Sequence, residues 1–102
     1  MESVMTKVTR FAPSPTGTLH IGGVRTALFN FVYSKQQKGK FLIRIEDTDA
    51  ERSAREFEEN ILKGLADMGI VPDEIPVRQS ERSDLYQNAI GQIMGSGQAY
   101  YC

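Results

Sequence analysis

At 102 residues, with 40% hydrophobic and 25% charged side chains, the sequence has the balance of one soluble globular domain with a modest core. A net charge of −1 excludes a generally basic nucleic-acid binder, which must neutralise many phosphates. The single cysteine, Cys102, makes no internal disulfide, no apolar run reaches bilayer-spanning length, and MESVMTKVTR lacks a secretory apolar core, so a cytoplasmic protein is expected.

Met1 to Thr6 read as a loose leader. Lys7 to Ala12 read as a short buried strand that stops at Pro13. Pro13 to Thr18, PSPTGT, is a loop stiffened by two prolines. A helix starts near Ile21 to Gly23, with Val24, Ala27, Leu28, Phe31 and Val32 spaced as one buried face. Lys35 and Lys38 suit its negative end, and Gly39 is placed as its C-cap. Lys40 to Glu46, KFLIRIE, is apolar and β-branched and reads as an interior strand.

Ser53-Ala54-Arg55-Glu56 has the pattern of a capping box opening a second helix. Ala54, Phe57, Ile61, Leu65 and Met68 give its apolar stripe, and Gly69 ends it. Ile70 to Val77, with Pro72 and Pro76, reads as extended and irregular. A third helix is placed from Ser80–Ser83 through Leu85, Ala89, Ile90 and Ile93 to Gly95. Gln98 to Cys102 reads as the start of another strand.

Strand, helix and strand in succession make a βαβ unit with parallel strands, and such sheets bind ligands beyond the strands' carboxyl ends. If the two strands are neighbours, Arg10–Ala12 and Ile45–Asp47 face one crevice, with His20 on its rim. The helix start attracts phosphate through its free amides, and Gly22 and Gly23 clear space there. The two common glycine fingerprints of dinucleotide and P-loop sites are absent. His20, the only histidine, has no second ligand for a metal and, on general grounds, is as readily a cap as a working group. Arg10 and Glu46 admit two readings: a mutual ion pair, or an amino-acid site with guanidinium for carboxylate and carboxylate for ammonium.

The combination of motifs narrows these alternatives. RFAPSPTGTLHIGGVRTALFN, then KFLIRIEDTDAERS, then QSERSDLY and QAYYC closely resemble the front of bacterial-type glutamyl-tRNA synthetases, which are class I aminoacyl-tRNA synthetases. His20-Ile21-Gly22-Gly23 stands for the family's "HIGH" signature, with glycine in its last position. The resemblance implies an α/β fold, the first half of a Rossmann-like class I nucleotide-binding fold: βαβ plus two further helices, with an incomplete parallel sheet. Residues 1–102 would then be the N-terminal portion of the catalytic domain, with no complete second domain.

It further implies ATP as substrate with Mg²⁺, Pro13, Thr16, Gly17, His20, Gly22 and Gly23 around the nucleotide, and His20 as the catalytic group. Arg10, Ala12, Ser14 and Glu46 would contact L-glutamate, with Glu46 on its α-amino group. Asp49 and Arg52 would meet the end of tRNA-Glu. Cys102 would be a zinc ligand only in a longer chain. The family's Lys-x-Ser-Lys loop is absent, since the only Ser-Lys pair, Ser34-Lys35, falls inside the first helix. The chain alone is therefore expected not to aminoacylate tRNA. The paralogue that glutamylates the queuosine base, and a fragment that only binds ATP or glutamate weakly, are the alternatives.

Overall fold

The computed structural model describes residues 5–102, so most of the leader expected at Met1 to Thr6 lies outside the described residues. Its elements run β1 (Val8–Phe11), α1 (Ile21–Gln36), β2 (Lys40–Ile45), α2 (Arg55–Asp67), β3 (Val77–Arg78), a short 3₁₀ helix (Gln79–Arg82) and α3 (Ser83–Gly95). The three strands form one parallel sheet in the order β1-β2-β3. Val8 pairs with Lys40 and Phe11 with Ile43, while Arg44 and Ile45 pair with Val77 and Arg78. The expected βαβ unit is present, and β2 is its interior strand.

Strand alternation decides which face becomes the core. Phe11, Phe41, Ile43 and Ile45 are buried on one face, against Ala27 from α1 and Ile61 and Leu65 from α2. Phe31 of α1 meets Phe41 edge-on, their ring centroids 5.6 Å apart. α1 and α2 thus lie on the same side of the sheet. Arg10, Leu42 and Arg44, which alternate with the core residues, face the side that α1 and α2 leave uncovered.

Several expectations need correction. On α1 only Ala27 and Ser34 are buried, whereas Leu28 and Val32 are 45% and 52% exposed. The helix is apolar nearly all round, so spacing alone could not select its inner stripe. Gly39 is not the left-handed cap; Lys38 takes the positive φ of 53°. Gly39 is required for a different reason, because a Cβ there would stand 2.0 Å from the Lys7 carbonyl oxygen. That closeness belongs to the bond from the Lys40 amide to the same carbonyl, at 2.8 Å.

The capping box does not form. Ala54, in extended conformation, is the N-cap of α2, and the Ser53 hydroxyl is buried without a partner. The Ser53 and Ala54 amides instead bond to the Asp49 and Pro15 carbonyls, which pull the entry one residue later. Met68 is half exposed rather than part of the stripe, while Gly69 does end α2 with φ of 79°. The third strand is Val77–Arg78, inside and just past the stretch read as irregular. Gln98 to Cys102 is not a strand. Two residues are too few to give a periodic signal, so pairing with β2 rather than pattern makes β3.

Candidate functional site: the loop before the first helix and the uncovered sheet face

β1 ends where Pro13 interrupts it, but the chain stays beside β2 for one more bond, from the Glu46 amide to the Pro13 carbonyl at 2.9 Å. The loop is anchored at its far end as well. The Leu19 amide donates to Asn60 Oδ1 at 2.9 Å, and the Ala54 amide to Pro15 O at 3.1 Å. Leu19 packs onto α2 at Gly64, where a Cβ would come within 2.8 Å of its Cδ2. Gly64, which helix propensity alone penalises, is therefore the seat of the loop.

His20 is the N-cap of α1, with φ −127° and ψ 168°. Its Nδ1 accepts from the Gly23 amide at 3.3 Å, which places the proton of the neutral ring on Nε2 and leaves Nε2 free to donate outward. The ring lies back over the helix start: a Cβ at Gly22 would meet its Cε1 and Nδ1 at 3.1 Å. Glycine at that position lets the ring lie there without a shift, independently of any ligand. Capping and chemistry are compatible, because they use different nitrogens.

Loop and helix start enclose a cavity of about 340 Å³, lined by Pro13, Ser14, Thr16, Gly17, His20 and Gly23 among others. Five of the six residues expected around a nucleotide converge there: Pro13, Thr16, Gly17, His20 and Gly23. Gly22 does not line it. Ser14, expected at the amino-acid site, lines this cavity instead of Arg10's.

Arg10 stands on the uncovered sheet face, in a second cavity of about 330 Å³ shared with Leu42, Arg44, Glu74, Val77 and Arg82. Glu46 continues the same alternation at the carboxyl end of β2. Among the described residues Arg10 and Glu46 form no mutual ion pair; Glu46 stands beside Arg44 instead, with Nε to Oε1 at 4.0 Å. Ala12 is partly buried at the turn from β1 into the loop and lines neither cavity.

Asp49 and Arg52 pair with each other, at 2.6 Å between Oδ2 and Nε. Hydrogen bonds from Arg52 hold the Asp49 carboxyl below the usual carboxylate range. Asp47, the residue after Glu46, accepts from the Ser80 amide at 2.9 Å and from its hydroxyl at 2.6 Å. Burial pulls the Asp47 carboxyl up, but the two Ser80 bonds and Arg78 outweigh it, and the net shift is downward. Arg78 makes a two-point pair with buried Glu58 of α2, one of its bonds 3.0 Å long, and that pair raises the guanidinium's affinity for its proton. These two clamps fix the 3₁₀ helix beside the end of β2.

Sequence reasoning did not single out Leu19, Ser80 or Arg82, and it placed Asp47 at the crevice without its Ser80 partner. For Arg44 a signal existed, because alternation along FLIRIE puts it on the same face as Glu46. No convergence of metal-ligating side chains occurs among the described residues, and Cys102 is exposed and alone. No helix among the described residues is long and apolar enough to cross a membrane.

A strand, a capped loop and a helix start at the mouth of a parallel sheet define an α/β fold of the Rossmann-like kind. Residues 6–102 match the family described as tRNA synthetases class I (E and Q), catalytic domain, and the chain belongs to this family. It is 58% identical over 98 residues to a glutamate–tRNA ligase of Synechococcus, covering 96% of this chain and 21% of that protein. A glutamate–tRNA ligase of Thermosynechococcus vestitus is 56% identical over 98 residues, 96% of this chain and 20% of the relative. The chain thus spans about a fifth of the length of the curated relatives it matches. A crystal structure of a glutamate tRNA ligase from Elizabethkingia meningosepticum, in complex with its amino acid, superposes with a TM-score of 0.83 and 46% identity. That match covers 89% of this chain and 20% of the other.

Proposed function

We propose that this chain forms the ATP- and glutamate-binding front of a glutamate–tRNA ligase, as the N-terminal portion of its catalytic domain, acting in the cytoplasm. The observation that carries the reading is His20: it caps α1 through Nδ1 and keeps Nε2 free at the rim of the loop cavity. In the whole protein the α-carboxylate of L-glutamate attacks the α-phosphorus of ATP. One C–O–P bond forms, the bond to the bridging oxygen breaks, and pyrophosphate leaves. The terminal ribose hydroxyl of tRNA-Glu then attacks the acyl carbon of glutamyl-adenylate; an ester bond forms, the acyl–phosphate bond breaks, and AMP leaves with loss of the hydroxyl proton.

The attacking carboxylate is already ionised, so the first step needs positioning and charge stabilisation rather than a general base. Pro13, Thr16 and Gly17 would shape the nucleotide pocket, and the amides at Gly22 and Gly23 would favour phosphate through the helix dipole. Nε2 of His20 would donate to a phosphate oxygen. Mg²⁺ would supply charge neutralisation as a companion of the ATP phosphates, since it commonly keeps waters and phosphate oxygens rather than an all-protein cage. Arg10, Ala12 and Ser14 would surround the glutamate, and Glu46 would hold its ammonium. Asp49 and Arg52 would meet the tRNA end.

Because the residues here include no lysine loop for the leaving phosphates, the chain by itself is expected to bind without catalysing. Amide NMR shifts on adding ATP, together with ATP–pyrophosphate exchange in the presence of glutamate, test this. Saturable shifts at Thr16 to Gly23 without exchange are expected, with His20→Ala weakening ATP by about tenfold, the worth of one hydrogen bond to a charged group. Silent loop amides would refute nucleotide binding. Exchange that His20→Ala abolishes would overturn the claim that this chain is only part of the machinery.

A further inference from the structure

The loop before α1 is held from behind by α2, through a polar side chain that takes no part in the chemistry described above. Asn60 is exposed on α2, and its Oδ1 accepts from the Leu19 amide at 2.9 Å, across a separation of 41 residues. A backbone N–H only donates, so the oxygen must be the end of the Asn60 amide that faces it. Leu19 immediately precedes His20, the N-cap of α1. Gly64, one turn further along the same face of α2, receives the Leu19 side chain, since a Cβ there would stand 2.8 Å from Leu19 Cδ2. The other branch of that side chain reaches α1, where a Cβ at Gly23 would meet Leu19 Cδ1 at 3.5 Å.

An apolar residue just before an N-cap fixes the angle at which the chain enters its helix. Here α2 shares in that seat and, through Asn60, also orients the Leu19 peptide plane. With plane and side chain both held, the backbone of His20 has little freedom, and its Nδ1 stays on the Gly23 amide. Water can satisfy the same exposed Leu19 amide, but it does not fix the direction of that bond. Asn60 does not line the loop cavity, so whatever it does there passes through Leu19.

We infer that Asn60 is a positioning residue for nucleotide binding: it holds the Leu19 amide so that the His20 ring keeps Nε2 directed to the rim of the loop cavity. This inference rests on the reading of that cavity as the ATP site.

The test compares the wild-type chain with Asn60→Ala and Asn60→Asp. Long-range proton–nitrogen NMR spectra of the ligand-free proteins report the His20 tautomer. The wild type should carry the proton on Nε2, and Asn60→Ala should move both ring nitrogens toward the averaged signals of exchanging tautomers. Asn60→Asp keeps an acceptor at the same reach and should restore the wild-type ring signals. In ATP titrations followed at the loop amides, Asn60→Ala should bind about three- to tenfold more weakly, the worth of one ordinary hydrogen bond. Alanine is the better helix former, so the urea midpoint of Asn60→Ala should stay level or rise. A lower midpoint with ATP affinity unchanged would make Asn60 a purely structural residue and overturn the proposal, as would ring signals that do not move in Asn60→Ala. A wild type whose loop amides ignore ATP would instead refute the nucleotide reading, and the ligand-free ring signals would still decide whether Asn60 orders His20.

Discussion

α2 and α3 each run for 13 residues and each carries an apolar stripe, yet one is built into the core and the other is not. α2 buries Ile61 and Leu65 against β2, and its Glu58 closes on Arg78. α3 buries no residue, and Leu85, Ile90 and Ile93 are 45–52% exposed. Periodicity states which side chains share a face; it does not state whether another element is there to receive them. α1 is the intermediate case, seated through Ala27 and open along Leu28, Phe29 and Val32. Parallel sheets are ordinarily covered on both faces, and here the face opposite α1 and α2 meets α3 at Tyr86, whose ring lies over Arg44.

The contrast between α2 and α3 is open to direct attack. Leu65→Ala should remove about 4 kcal/mol in urea unfolding, because a fully buried leucine leaves a cavity. The matching Leu85→Ala in α3 should change stability by less than about 0.5 kcal/mol. Equal effects would mean that α3 is packed after all. Arg78→Met should cost about 3 kcal/mol by stranding the Glu58 carboxylate inside, at the low end for such pairs because Arg78 is partly exposed. Arg78→Met combined with Glu58→Leu should recover most of that loss, and a double variant as weak as the single would contradict the pairing.

Smaller effects sharpen the same comparison. Gly64→Ala sets a helix-propensity gain of about 1 kcal/mol against an overpacking cost of about 1–3 kcal/mol where the new methyl group meets Leu19 Cδ2 at 2.8 Å, so a net loss of up to about 2 kcal/mol is expected. Gly91→Ala in α3, with nothing within 4 Å, should stabilise by up to about 1 kcal/mol. Opposite signs in thermal unfolding would show which helix is seated. The smallest effect concerns pH. The Asp47 carboxyl titrates lower in the folded chain than in the unfolded one. Its contribution is therefore complete above the unfolded pKa near 3.9 and fades as pH falls through the lower folded value. Asp47→Asn should flatten the acid limb of the stability curve below about pH 4, with little change near neutrality.

Local chemistry in the sequence was enough to specify the strand–loop–helix–strand order, the parallel βαβ unit and His20 at the loop's junction with α1. Prolines, glycines and a run such as KFLIRI act through a few neighbouring dihedrals and one alternation, so they can be read without knowing what lies across the chain. The resemblance carried in the same motifs supplied the family, which the comparisons then showed. What tertiary structure alone decided depends on groups far apart in sequence. Gly39 is fixed by the Lys7 carbonyl, Gly64 by Leu19, and the start of α2 by Pro15 and Asp49 rather than by Ser53. Glu46 faces Arg44 instead of Arg10. β3 exists because β2 offers it a partner, and Arg82 reaches Arg10's cavity because Asp47 and Glu58 hold the turn that carries it.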